Sequence, residues 1–257
     1  MSDIRRSTER FSNRVENYVK YRPGYPNEFI DFLYTNVGFS KEAFIADIGS
    51  GTGKLTGLLL ERGSYVVGVE PNKEMREAAE KLLSEYPKFV SSSRTAEHTG
   101  LNDGAVDFII CATAFHWFDR DPCKKEFARI LKHKGKVILV WNRRIVNADD
   151  FSSEYEKLLS TYVKEYDSAN HGLITDNEFG SFFEDGVYTE FAFNNEQSFD
   201  FEGLKGRMLS SSYTPIQGEP NHDVLMKELK KLFDLFNIDG KVTFKYETGG
   251  YLGEVQP

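Results

Sequence analysis

The chain has 257 residues, with 40 Asp and Glu against 32 Lys and Arg, a net charge of −8 and a pI near 5.3. That balance argues against a protein whose main task is to hold a nucleic-acid backbone, because such affinity comes from clustered Lys and Arg. The length suits one sizeable α/β core with additions, so residues 1–257 read as a single domain. Cys111 and Cys123 form neither a disulfide framework nor a metal-ligand spacing, so no metal site is expected and a reducing cytoplasm is the expected setting. No apolar run approaches the length of a membrane span, and the N-terminal stretch has no signal-peptide core, so no stable membrane association is expected.

In chain order, Phe11, Val15, Tyr18 and Val19 mark one face of a short helix, which Tyr21-Arg22-Pro23-Gly24-Tyr25-Pro26 ends with two prolines. Phe29, Ile30 and Leu33 predict a second helix. The stretch from Phe44 to Asn72 then reads as a βαβ unit. Phe44, Ile45, Ala46 and Ile48 form a short strand of the doubly buried kind, with Asp47 as its one charge. Gly49, Gly51 and Gly53 make a turn that lets backbone approach a ligand. Leu55, Leu58 and Leu59 follow at helical spacing, Gly63 stops the helix, and the strand Tyr65 to Val69 ends at Glu70.

The loop is G-x-G-x-G, with Lys54 where a dinucleotide fold needs its third glycine, which speaks against a nicotinamide oxidoreductase. Asp47 places negative charge ahead of the loop and suits a ligand bearing an amino group or a sulfonium better than a phosphate. Glu70 stands where a carboxylate accepts from both hydroxyls of an unphosphorylated ribose.

Asn72 is a good N-cap for a helix carrying Met75, Ala78, Ala79, Leu82 and Leu83. Phe89 and Val90 start a third strand, followed by the polar loop Ser91 to Leu101, in which His98 reads as solvent-facing. Val106 to Cys111 is a fourth strand. Its carboxyl end opens on Ala112 to Asp119, where ligands of open α/β sheets lie. Phe115, Trp117 and Phe118 there read as a wall against water. His116 is either a base titrating in a useful range or hydrogen-bonded scaffolding. Asp119 and Asp121 cap the next helix with Pro122 at its first position, Phe127, Ile130 and Leu131 face the sheet, and Gly135 closes it. Lys136 to Trp141 is strand five. Arg143 and Arg144 beyond it either hold an anionic acceptor, a carboxylate above all, or are solvated loop charge. Past residue 148, Tyr155, Leu158, Leu159, Tyr162, Val163 and Tyr166 mark one added helix, and Leu225, Leu229, Leu232, Phe233 and Phe236 another. Val187 to Phe199 and Lys241 to Tyr246 predict two closing strands.

Taken together, DIGSGTG (47–53) and VEPN (69–72) resemble the first two motifs of the class I S-adenosylmethionine (SAM) methyltransferases. The resemblance extends to the type 11 group, with its trans-aconitate methyltransferase-like and quinone-biosynthesis methyltransferase-like branches. It implies an α/β, Rossmann-like sheet of seven strands, mostly parallel with the last antiparallel, helices on both faces and a helical lid. Residues 1–40 are then cofactor-covering helices and 148–240 partly lid. SAM is the implied cofactor, held by Asp47, Gly49, Ser50, Gly51, Gly53, Glu70 and Pro71. Met75 would lie against the adenine or else be ordinary helix core. Thr95, Ala96 and Glu97 would read its edge, although the family's usual Asp-Ala is absent. Tyr18 and Arg22 would fold over the cofactor, with Arg22 pairing its carboxylate; the competing reading is that the prolines simply end a helix and the tyrosines pack. Phe115, His116, Trp117, Arg143 and Tyr213, the last in a lid from Phe201 to Pro220, would face a small-molecule acceptor, with His116 the candidate catalytic base. The alternative function is a nucleoside-binding module that kept the pocket, lost catalysis and serves as partner or regulator.

Overall fold

The structure, a computed structural model, describes residues 14–164, 166 and 181–256. Phe11, assigned above to the first helix, lies outside the described residues. That helix, α1, spans Val15–Tyr21, and α2 spans Asn27–Phe32 and widens into a π-helical turn over Leu33–Val37. The βαβ unit forms as expected: β1 is Phe44–Ile48, α3 Lys54–Glu61 and β2 Tyr65–Val69. Then come α4 (Lys73–Leu82), β3 (Phe89–Ser92), β4 (Val106–Ala112), a single turn at Phe115–Trp117, α5 (Arg120–Ile130) and β5 (Leu131–Arg144). The remainder supplies α6 (Asp150–Tyr162), β6 (Tyr188–Phe199), α7 (Phe201–Leu209), α8 (His222–Phe236) and β7 (Val242–Gly253).

The seven strands form one sheet in the order β3-β2-β1-β4-β5-β7-β6. The pairs from β3 to β5 are parallel, and β7 runs antiparallel to both β5 and β6. This is the Rossmann-like methyltransferase sheet, mostly parallel with the last strand reversed. Both faces of the parallel part are covered, which explains the near-continuous apolar runs. On one face Ile45, Ile110, Ile138 and Val140 meet Phe29, Leu33, Leu55 and Leu59 from α2 and α3; on the other Ala46, Ile109, Val137 and Leu139 meet Phe127 and Ile130 of α5. The later helices build a third apolar cluster, in which Leu158, Leu159, Leu225 and Leu229 pack around Phe244 and Tyr246 of β7. Among the described residues, no helix is long and apolar enough to cross a membrane.

Three expectations are corrected. Helix α5 ends at Ile130 and passes straight into β5, so Gly135 lies inside the strand and closes nothing; the register slips between Val106 and Phe108, and Lys134 takes a φ of +63° to absorb it. Pro122 is the third helical residue rather than the first, and Asp119 sits at the N-cap without a side-chain capping bond. The last strand runs on past Tyr246 to Gly253. Within that extension, a Cβ on Gly250 would lie 1.8 Å from the carbonyl oxygen of Leu139. Glycine is there because β5 approaches too closely for any side chain.

Candidate cofactor and acceptor site

The site begins with Asp47, fully buried at the carboxyl end of β1 between Gly68 of β2 and Ile110 of β4. Thr56 Oγ1 donates to its Oδ2 at 2.6 Å, while its Oδ1 has no partner. Burial pushes this carboxyl up to about 7. Beyond it the chain turns at Gly51, whose φ of +56° favours glycine. The Gly51 N–H donates to Glu70 Oε2 at 2.9 Å and the Asn72 N–H to Glu70 Oε1 at 2.8 Å. Burial raises the Glu70 carboxyl and these two bonds hold it back. Asn72 caps α4 by accepting from the Met75 N–H at 2.8 Å, and Met75 is buried with its sulfur beside Gly51. Gly49 and Gly53 have a further job: a Cβ at Gly49 would lie 2.4 Å from that of Ala114, and one at Gly53 2.7 Å from Leu83 Cδ1. Ser50 follows Gly49 in turning its N–H onto the Val69 carbonyl at 3.2 Å, and Pro71 is half-buried between Glu70 and Asn72.

A roof lies over this cradle. Lys54, the residue that replaces the third glycine, latches it: its Nζ donates to the carbonyls of Val19 at 3.0 Å and Arg22 at 2.6 Å. Burial, with Arg22 and Arg207 nearby, pushes the ammonium down to about 8. The Gly24 carbonyl accepts from the amides of Asn142 at 3.1 Å and Asn195 at 2.9 Å, and Asn195 also donates to Asn142 Oδ1 at 3.1 Å. Arg22 donates to the Ser210 carbonyl at 3.1 Å and lies over the Tyr18 ring, while its Nε is buried without a partner. Tyr21 lies so close to α7 that a Cβ on Gly206 would sit 2.0 Å from its ring. Arg14 completes the stitching through the carbonyls of Leu209 at 3.2 Å, Ser211, and Thr214 at 2.7 Å.

Between cradle and roof is a cavity lined by Tyr18, Arg22, Tyr25, Asp47, Gly49, Ser50, Gly51, Lys54, Thr113, Asn142 and Arg207, among others. It brings Asp47 and the glycine loop together with Tyr18 and Arg22. Thr113, Asn142 and Arg207 escaped that reading as site residues. Asn142 and Thr113 both had a positional signal, lying at or past the carboxyl end of a strand, but nothing in the sequence singled out their side chains. The φ of Thr113 is +57°, unusual for a β-branched residue, and it is over-determined by an N–H bond to the Val140 carbonyl at 2.7 Å and a hydrogen bond with the Tyr25 hydroxyl.

The predicted acceptor side is largely displaced. Phe115 is fully buried against Phe182, ring centroids 4.5 Å apart, and is core rather than wall. Trp117 is 38% exposed, and His116 lies beside it with its imidazole pushed down to about 4 by burial, which makes it a poor base at neutral pH. Arg143 lies over Trp141 with its Nε buried and unpartnered, and Arg144 is taken by Glu156 at 2.6 Å. Phe115, His116, Trp117, Arg143 and Tyr213 all lie outside the cavity lining; Tyr213 packs on Tyr166. Of the adenine-edge candidates, Thr95 is half-buried, Ala96 is buried, and Glu97 Oε1 accepts from the Asp119 N–H at the start of α5 at 3.0 Å.

The lining suits the cofactor that the motifs suggest. The methionine end of SAM carries an ammonium and a carboxylate, and this cavity offers an unpartnered carboxylate oxygen on Asp47 and an unpartnered guanidinium nitrogen on Arg22. A family profile described as a methyltransferase domain matches residues 46–139. An uncharacterized methyltransferase of Mycobacterium tuberculosis is 40% identical over 134 residues, 52% of each chain, and an uncharacterized methyltransferase-like protein of Schizosaccharomyces pombe is 31% identical over 159 residues, 60% of this chain and 59% of its own. The chain thus spans about half the length of the curated relatives it matches. In fold, it resembles a protein of Anaeromyxobacter dehalogenans described provisionally as a type II methyltransferase, with a TM-score of 0.64 at 20% identity over 92% of this chain and 99% of that one. The YcgJ protein of a Bacillus species aligns with a TM-score of 0.54 at 20% identity over 90% of this chain and 100% of its own. Residues 46–139 are thus similar to a methyltransferase domain, over the same part of the chain that carries DIGSGTG and VEPN.

Proposed function

We propose that this protein transfers the methyl group of SAM to a small-molecule acceptor. The observation that carries the reading is buried Asp47 facing Arg22 across a cavity floored by the glycine loop, with the second buried acid, Glu70, outside the cavity lining and bonded to the Gly51 N–H of that loop. In this reading Glu70 holds the ribose, Asp47 and Arg22 hold the two ends of the amino-acid part, and Met75, Thr95, Ala96, Glu97 and Pro71 border the adenine. Tyr18 covers the cofactor from the roof. SAM, when bound, supplies an electrophilic methyl on a sulfonium. The chain's residues orient the partners and exclude water, and positioning of that kind is worth about 7–11 kcal/mol of barrier. His116, its imidazole neutral by burial, is left to scaffolding. Residues 1–257 act as one domain, with the N-terminal helices and the 148–240 segment as cover, in a cytoplasmic setting.

Calorimetry with SAM tests the reading. Glu70→Ala removes charged hydrogen bonds worth ~1.5–3 kcal/mol, so SAM affinity is expected to fall about ten- to hundredfold. An unchanged affinity removes the ribose assignment. SAM binding without release of S-adenosylhomocysteine to any acceptor would instead favour a binding module without turnover.

A further inference from the structure

The cavity has more positive charge than its cofactor can answer. Arg22, Lys54 and Arg207 line it, and Asp47 is the only carboxylate among its lining residues. SAM itself carries a net positive charge, since its ammonium and sulfonium outnumber its carboxylate. Two of the chain's cations have evident duties: Lys54 holds the carbonyls of Val19 and Arg22, and Arg22 is tied to the Ser210 carbonyl. Arg207 is tied only to hydroxyls and to the Tyr246 ring, with no carbonyl among its partners in the described residues.

Arg207 is only 8% exposed, and its bonds go to neutral hydroxyls: Nε to Tyr246 at 3.1 Å and Nη1 to Ser211 Oγ at 3.3 Å. No carboxylate among the described residues pairs with it. Glu156, next to Tyr155 on α6, is consumed by Arg144 and by the Tyr166 hydroxyl. A cation in the last turn of α7 suits the helix end, but one serving only that purpose points at carbonyls and stays in water. Arg207 does neither. A buried guanidinium with fixed donors and no counter-ion is costly unless an anion completes it. Its position is also imposed, because Gly206 admits the Tyr21 ring against α7 and so sets Arg207 beside Arg22 over the cavity.

We propose that Arg207, oriented by Tyr246 and Ser211, binds the methyl acceptor and that this acceptor carries an oxyanion. The inference rests on the function proposed above and narrows it to anionic small molecules. Its test is a screen of the full chain for S-adenosylhomocysteine release across matched sets of carboxylates, phosphate monoesters, uncharged amides and amines, with SAM affinity measured in parallel by calorimetry. Turnover is expected for an oxyanion set alone, and which set responds separates carboxylate from phosphate. Arg207→Gln should raise KM for the best acceptor about 10- to 100-fold, with SAM affinity kept within about threefold. Arg207→Lys should recover part of that loss, and Tyr246→Phe, which keeps the ring packing, should show a smaller KM rise in the same direction. The proposal is overturned if the best acceptor is neutral or cationic, if no oxyanion is turned over, if Arg207→Gln leaves KM unchanged, or if it weakens SAM as much as acceptor. A wild-type chain that fails to bind SAM would bring down the methyltransferase reading itself; SAM bound normally alongside any of those results brings down this inference alone.

Discussion

Between Asp47 and Asn72 the contacts that shape the site are short in sequence: Glu70 binds the N–H of Asn72 two residues away and that of Gly51 nineteen away, and Thr56 reaches Asp47 over nine. Across the roof, Arg22 reaches Ser210 over 188 residues and Arg14 reaches Thr214 over 200. The cradle closes with the first βαβ unit, whereas the roof waits for segments far apart in the chain to meet and carries the entropy of that closure. The two should therefore differ in how readily they open, the roof at a lower free energy than the sheet edge beneath it.

The sharpest blow falls on the frame that both share. In Gly250→Ala the new Cβ meets the Leu139 carbonyl at 1.8 Å, a backbone clash that no rotamer relieves. We expect a loss of about 3 kcal/mol or more, a drop of roughly 6–12 °C in Tm by thermal denaturation. A wild-type Tm in that variant would mean that β5 and β7 do not approach as described.

Asp47→Asn separates stability from function in the cradle alone. Burial raises the Asp47 carboxyl to about 7, so the ligand-free fold favours its protonated form. The stability this contributes is complete below the unfolded value near 3.9 and is lost as pH rises through about 7. At pH 8 the asparagine variant should therefore be more stable than wild type by about 1–3 kcal/mol when ligand-free, and bind SAM more weakly. Denaturant titrations at pH 5 and pH 8 give the comparison; an equal difference at both would remove Asp47 from the pH dependence.

Lys54→Met loosens the roof while sparing the cradle. The lost bonds to Val19 and Arg22 are offset in part by removing a half-desolvated ammonium, so the global effect should be about 1 kcal/mol or less. Hydrogen exchange sharpens it: amides of α1 should exchange faster, while those of Gly51 and Asn72, held by Glu70, should keep their protection. Equal acceleration in both places would show that cradle and roof open as one unit.

The sheet and the glycine turn after β1 were legible in the sequence, because both are written in local terms. Doubly buried strands read as unbroken apolar runs, and a glycine turn between two acids needs only neighbours in the chain to take shape. The same locality explains the misreadings. The last strand reads as ending at Tyr246 until β5 pairs with it as far as Gly253, and Phe115 looks like a wall until Phe182 and Phe127 close over it. Which residues face the cavity is set instead by packing between distant segments. Thr113 is held in its strained turn by Tyr25 and Val140, Asn142 is aimed by Asn195 and Gly24, and Arg207 is carried in by a helix that packs on Tyr21. Each of those placements depends on partners tens to nearly two hundred residues away, and side-chain periodicity carries no information at that range.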